Sequence, residues 1–293
     1  MTVFAATGLA VLASTALTVG LYFMKREAER LPSLGGGWRP SAWWAFVRDP
    51  WWVAGVVLQI VGYAMYLAAL RGAPLSVVHT ALNAGVAFFI VLAVVGLGER
   101  VRGLEWAGVA AVVAGLIALG ASLSGESAPT QPPHGTALFS LVLVLASVAA
   151  PPLDRAPGRA IGLSVASGLI LGLGGIFAKE LANEASLSDA LLSLALPLTL
   201  ATNMVGFALM QGAMQTGRGV VVVPIFSVLS NLVPIIGGSL VYGEALAGDG
   251  AAGLLRPLAI LLALGGAGLL GGLGEINVEP IDDHPGDDGR HAT

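Results

Sequence analysis

Residues 8–25, GLAVLASTALTVGLYFMK, and residues 162–179, GLSVASGLILGLGGIFAK, align without a gap. Seven positions are identical: Gly8/Gly162, Leu9/Leu163, Val11/Val165, Leu17/Leu171, Gly20/Gly174, Phe23/Phe177 and Lys25/Lys179. Each stretch is free of charge until its closing lysine. A run of about 20 such residues crosses ~30 Å of hydrocarbon at ~1.5 Å per residue. With no alternating period, a chain in lipid satisfies its own backbone only as a helix. A second match carries 65–99 onto 210–244, with Met65/Met210, Ala68/Ala213, Gly72/Gly217, Val77/Val222, Val78/Val223, Ile90/Ile235, Gly98/Gly243 and Glu99/Glu244. Apolar composition alone inflates such scores, but it does not set a lysine and a glutamate at matching helix ends.

Working outward, charge-free stretches define nine spans: 3–24, 51–70, 75–97, 106–123, 136–153, 160–178, 190–214, 219–243 and 257–274. Pro151 and Pro152 blur the end of the fifth. The two matches pair the first four spans with the last four. That offset is odd, so the halves cross the bilayer in opposite senses and the fifth span is the connector that turns the second half over. The expected fold class is an all-α integral membrane protein of about nine transmembrane helices in two inverted repeats, an architecture of secondary transporters with the substrate near midplane. The expected organisation is a first repeat over 1–124, a connector helix over 125–158, a second repeat over 159–274 and an acidic disordered tail over 275–293.

Composition agrees. The 293 residues are 56% hydrophobic, 11% charged and free of cysteine, whereas a soluble domain carries roughly 25% charge. A soluble enzyme, a nucleic-acid binder and a disordered scaffold are disfavoured together, and a disulfide framework is excluded. With the N-terminus outside, 11 of the 14 Lys and Arg fall on the inner side: Lys25, Arg26, Arg30, Arg39, Arg48, Arg100, Arg102, Arg155, Arg159, Arg218 and Arg290. Only Arg71, Lys179 and Arg256 fall outside. The positive-inside rule thus predicts insertion in the cytoplasmic (inner) membrane with the N-terminus out and the C-terminus in. No basic residue precedes the first span, so it reads as a retained helix rather than a signal peptide. Trp38, Trp43, Trp44, Trp51 and Trp52 read as an interfacial belt, with 41–48 a short surface helix. The tail from Glu275 reads as a solvated acidic segment rather than a metal site.

No Asp, Glu, Lys or Arg falls inside these spans, so a charged relay at midplane is not expected. Neutral polar groups remain. Gln59, Tyr63 and Tyr66 stand at i, i+4 and i+7 on one helical face. Ser76, His79, Thr80 and Asn83 share another, as do Thr199, Thr202 and Asn203, with Gln211 further along, and Pro224, Ser227 and Asn231. Such faces either join helices or line a cavity. Gln59, Tyr63, Tyr66, His79, Asn83, Asn203, Gln211, Ser227 and Asn231 are the candidate cavity lining. Pro224 and Pro234 each free a carbonyl and make the eighth span the candidate broken or kinked helix. Lys25, Glu99, Lys179 and Glu244 are candidate gate residues, each half placing a lysine and a glutamate at one membrane surface. No nucleophile–base or paired-carboxylate set occurs within a span, so catalysis is not expected, nor is a cofactor. The partners expected are the lipid bilayer, a small-molecule or cation substrate and at most a second copy of the chain (monomer or homodimer), with no nucleic acid.

Residues 73–122, APLSVVHTALNAGVAFFIVLAVVGLGERVRGLEWAGVAAVVAGLIALGAS, resemble the drug/metabolite transporter (EamA-like) superfamily: a small-residue helix ends in Gly-Glu-Arg, and a short turn leads to a glycine-rich helix. Tyr242-Gly243-Glu244 repeats the pattern. The resemblance implies two inverted repeats of five helices, of which the first has four here. The Gly20, Phe23, Lys25 helix end, the Trp51-Trp52 opening and the run Gly62, Ala68-Ala69, Ala73-Pro74, Val78 are most similar to the nine-helix NIPA-like magnesium-transporter branch. That branch typically carries Gly-Glu, then Asn, in its second helix. This chain has Gly62-Tyr63 and Tyr66, so it lacks the acidic group that suits a divalent cation. The first helix also resembles the small multidrug-resistance family, whose proton-coupling glutamate would fall at Leu17 or Leu171. The resemblance implies a carrier moving a small organic metabolite, amine or drug by alternating access. Mg²⁺ is the runner-up, and a non-transporting subunit or lipid-linked flippase component is the alternative of another class.

Overall fold

The computed structural model describes residues 3–32, 40–69, 75–122, 135–150, 158–182, 186–242 and 251–276, and every regular element among them is an α-helix. In chain order these are α1 (Val3–Ala28), α2 (Pro40–Arg48), α3 (Pro50–Ala69), α4 (Leu75–Gly96), α5 (Gly103–Ser122), α6 (Thr136–Ala149), α7 (Gly158–Ala182), α8 (Leu187–Leu192), α9 (Ala195–Thr216), α10 (Gly219–Tyr242) and α11 (Ala251–Ile276). Of these, α1, α5, α7, α10 and α11 are each long and apolar enough to cross a membrane unaided. The outward faces carry rows of bare apolar side chains, such as Leu138, Leu141, Leu145 and Val148 on α6 and Leu254, Leu258 and Leu261 on α11. Surface of that extent is tolerable only against lipid. The chain is an integral membrane protein.

Several boundaries differ from expectation. The span expected at 190–214 begins at Ala195. Ahead of it the Ser186 hydroxyl accepts the Asp189 N–H at 3.1 Å and starts α8, and Ser193 in extended backbone ends it. Pro197 then sits in the first turn of α9, where a missing N–H is tolerated. α6 has 14 residues, ~21 Å of helix, and Pro151 and Pro152 lie outside the described residues, as do 277–293 of the tail. Glu275, assigned to that tail, belongs to α11.

The expectation of charge-free spans needs a larger correction. α11 starts at Ala251 and passes through Pro257 as one helix, so Arg256 lies within it. Its side chain is buried, and its Nη2 donates to the Ser122 carbonyl at 2.9 Å. A guanidinium there satisfies the carbonyl end of α5 and complements its dipole. Lys25, Glu27 and Glu105 are buried too, at the ends of α1 and α5.

Close contacts fix the relative helix directions. α1 and α3 run antiparallel, Gly20 facing Gly55 while Ala13 and Leu17 face Gly62. A methyl group on Gly20 would fall 2.7 Å from Gly55 O, and one on Gly55 2.8 Å from Gly20 O. α7 and α9 run antiparallel likewise, Gly174 against Asn203 and Leu171 against Gly206. α1 and α4 run in the same direction, through Thr18 on Gly85 and Tyr22 on Gly96, and so do α7 and α10, through Gly168 on Phe226 and Gly172 on Val233. α6 lies antiparallel to α7, Leu143 packing with Leu173 while Thr136 reaches Glu180. The end of α4 meets the start of α10, Glu99 accepting from the Gly219 N–H. α5 and α11 are antiparallel as well, pairing Gly108 with Gly266, Gly115 with Ala263 and Ser122 with Arg256. One apolar core, including Phe89, Ile90, Leu116, Met214, Val222 and Ala263, joins α4, α5, α9, α10 and α11.

The α5–α11 contact gives a direct test. A Cβ on Gly115 would lie 2.6 Å from the Ala263 nitrogen and 2.8 Å from the Ala259 carbonyl, both backbone atoms. Gly115→Ala should therefore lower the unfolding midpoint of the detergent-solubilised protein, costing about 1–3 kcal/mol. Gly8→Ala, with nothing within 4 Å, should leave it unchanged or raise it. Equal effects from the two changes would show that the α5–α11 approach is not tight.

Candidate functional site

A cavity of about 330 Å³ opens between α1, α3, α4 and α10. α3 is set in place first. The Asp49 side chain accepts the Trp52 N–H at 2.7 Å and caps the helix, with Pro50 at its first position, where the absent donor is not missed. The spacing of Gln59, Tyr63 and Tyr66 then turns all three towards the cavity, and the two tyrosine rings lie 5.7 Å apart. α1 adds Ser14, Leu17 and Thr18, α4 adds Asn83 and Phe89, and α10 adds Val223, Ser227 and Asn231. None of the described lining residues is charged.

The polar lining is held by backbone carbonyls. Gln59 Nε2 donates to Leu17 O at 2.7 Å, Asn83 Nδ2 to Leu116 O at 2.8 Å and Asn231 Nδ2 to Ser227 O at 2.8 Å. Thr18 Oγ1 donates to Gly85 O at 3.2 Å. Gly85 is required there, because a Cβ would fall 2.6 Å from Ser14 Oγ. Past Phe89 and Val223, Met24, Ile90, Met214 and Val220 fill the space, all of them buried.

Of the nine sequence-based lining candidates, Gln59, Tyr63, Tyr66, Asn83, Ser227 and Asn231 meet in this cavity. The His79 side chain lies outside the described residues. Asn203 sits on an exposed face of α9, its Nδ2 donating to Thr199 O one turn back. Gln211 is fully buried, accepts from Trp52 Nε1 at 3.4 Å, and leaves its own Nε2 without a partner. Trp52, read as part of an interfacial belt, is accordingly buried between Phe46 and Phe207, whereas Trp44 and Trp51 are exposed beneath Arg48 and Arg26. Ser14 and Thr18 were missed. Their i, i+4 spacing on α1 was the available signal.

Two of the gate candidates, Lys25 and Glu99, converge on one turn. Only Gly217 and Arg218 separate α9 from α10. Lys25 Nζ donates to Met214 O at 2.8 Å and Gly217 O at 2.6 Å, and pairs with Glu29 at 2.5 Å. The Glu99 carboxylate accepts the Gly219 N–H at 2.6 Å and the Val220 N–H at 2.9 Å. A cation thus closes the C-terminus of α9 and an anion the N-terminus of α10, each matched to the local helix dipole. Gly98 delivers the glutamate: its φ of 69° ends α4 in a left-handed turn, closed by the Glu99 N–H on Ala93 O at 3.1 Å, a reversal glycine makes without strain. Arg218 reaches from the same turn to Glu105 at 2.7 Å and to the Arg100 carbonyl. Lys25 and Glu99 therefore hold opposite ends of one turn rather than each other, and Lys25, only 1% exposed, does not snorkel. The Lys179 side chain and Glu244 lie outside the described residues. Pro224 and Pro234 both sit within a helix that remains continuous from Gly219 to Tyr242, so of the two alternatives, broken or kinked, the chain is not broken there.

No family model and no solved structure matches the chain. Over 244 residues it is 25% identical to the probable magnesium transporter NIPA9 of Arabidopsis thaliana, covering 77% of this chain and 70% of that protein. Over 85 residues it is 28% identical to the probable 4-amino-4-deoxy-L-arabinose-phosphoundecaprenol flippase subunit ArnE of Aeromonas hydrophila subsp. hydrophila, covering 29% of this chain and 75% of that protein. The two likenesses support a transporter-like role in the membrane and kinship at the level of the drug/metabolite transporter superfamily.

Two outcomes follow from the buried polar groups. Lys25→Met strips a charged donor from two carbonyls and should destabilise the turn by about 2–4 kcal/mol. Since the chain has no cysteine, a Thr216→Cys reporter should then react faster with maleimide in the Lys25→Met background. An unchanged labelling rate would show that the turn does not depend on Lys25. Conversely, Gln211→Met removes an unsatisfied buried donor together with the acceptor of the Trp52 N–H, so two terms of about 1–3 kcal/mol each oppose one another and the unfolding midpoint should stay nearly unchanged. A fall would mean that the amide has a partner after all.

Proposed function

We propose that the chain is a secondary transporter of the drug/metabolite transporter superfamily. It moves a small organic metabolite, amine or drug across the inner membrane by alternating access and catalyses no reaction. The observation that carries this reading is a cavity in which uncharged polar groups stand in a mainly apolar wall among the described residues, bounded by four helices and closed at one end by buried core and a charge-held turn. Support for two inverted repeats comes from the helix directions. α1, α3, α4 and α5 alternate, α7, α9, α10 and α11 alternate in the opposite sense, and the repeat mates α4/α10 and α5/α11 meet antiparallel. The charge bias puts the Lys25 end inside and the N-terminus out, which makes this an inward-closed arrangement.

A second reading, transport of Mg²⁺, rests on the likeness to the probable magnesium transporter. A third, a flippase component for a lipid-linked solute, rests on the shorter likeness. Reconstitution into vesicles separates them. Uptake of one member of a panel of metabolites, amines and drugs supports the carrier reading, and Ser227→Trp, which fills the cavity, should then cut uptake about tenfold or more. Uptake of Mg²⁺ alone would favour the second reading. A protein that moves nothing and purifies only with a partner would support the third.

A further inference from the structure

The cavity lining has a chemical bias that narrows the ligand. Gln59, Asn83 and Asn231 each turn an amide nitrogen onto a main-chain carbonyl. A carbonyl oxygen accepts only, so that contact fixes the amide with its nitrogen on the backbone and its oxygen turned away. Each side chain is left with one further N–H and with an oxygen that carries two lone pairs, so its free face is richer in acceptors than in donors. The hydroxyls of Ser14, Thr18 and Ser227 add further lone pairs. Among the described lining residues there is no Lys, Arg, His or Trp. A carboxylate or phosphate would find no cation among the described lining residues and more lone pairs than donors. Tyr63 and Tyr66 add two ring faces beside those acceptors, and ring faces attract cations. With no carboxylate in the lining, charge for a bare divalent ion is lacking, whereas a monovalent organic cation needs only dipoles and π faces. A volume of about 330 Å³ lies at the low end of small-molecule sites, which run from about 300 to 1,000 Å³.

Resting on the carrier reading, we propose that the cavity takes a small primary ammonium compound, its N–H donors shared among the amide oxygens of Gln59, Asn83 and Asn231 and its charge set against Tyr63 and Tyr66. The aliphatic remainder lies against Leu17, Val86 and Phe89.

Calorimetric titration of the full-length protein in detergent tests this, with n-butylammonium chloride, the neutral 1-butanol, sodium butyrate and magnesium chloride as separate probes. n-Butylammonium should bind about tenfold or more tightly than 1-butanol, and Tyr63→Leu should weaken it about tenfold while Tyr63→Phe, which keeps the ring, retains it. Asn231→Ala should weaken it several-fold. Tyr63 is 55% exposed, so its variants test the ligand without threatening the fold. The proposal is overturned if 1-butanol or butyrate binds as well as n-butylammonium, if Tyr63→Leu and Asn231→Ala leave binding unchanged, or if magnesium alone binds. Flux in vesicles separates this from the carrier reading. Ammonium binding without flux defeats the carrier and leaves the ligand class standing; flux of an anion or neutral solute without ammonium binding does the reverse.

Discussion

A helix that ends in or near hydrocarbon leaves carbonyls at one end and N–H groups at the other, with little water to receive them. The turn between α9 and α10 meets that constraint with opposite charges, Lys25 on the carbonyls and Glu99 on the amides. The same solution recurs where Arg256 finishes α5, where Asp49 begins α3 and where Glu105 accepts the Arg102 N–H at 2.8 Å ahead of α5. Charge is scarce in this chain, and much of what is buried serves helix ends. The interior of the bundle can then stay neutral, which a polar cavity without a fixed charge requires.

The apolar helices were legible because the length of a charge-free run is a local property of the chain. The rotational setting of a helix is not. Gln59, Tyr63 and Tyr66 on α3 and Thr199, Thr202 and Asn203 on α9 look alike as polar faces, yet the first set lines the cavity and the second does not. On α9 each side chain bonds a carbonyl one turn back. On α3 Gln59 reaches across to Leu17 O, because Gly20 and Gly55 bring the two backbones together. Which face turns inward is decided by such glycine contacts between distant residues. Trp52 and Lys25 illustrate the same limit. Sequence position suggested an interface for both, and tertiary partners buried them.

The likeness to a probable magnesium transporter and the neutral cavity are compatible at different levels. Helix ends and glycine contacts set how the helices stack, and those are the features carried by Gly20, Lys25, Gly98 and Glu99. The lining is set by a few side chains that point away from those contacts. Tyr63 can change in character while Gly62, packed against Leu17 and Ala13, cannot. The packing contacts thus leave the character of the cavity to a handful of positions.

Tyr66 and Gln211 occupy equivalent positions in the two halves of the chain, yet Tyr66 lines the cavity while Gln211 is sealed away with an amide hydrogen unanswered. An unsolvated donor, costing about 1–3 kcal/mol, keeps this conformation shallower than perfect packing would make it. Access of water to the α9 side would relieve the deficit. Gln211 is therefore a standing debit on this packing: any arrangement of the helices that wets or pairs its amide gains what this one forgoes.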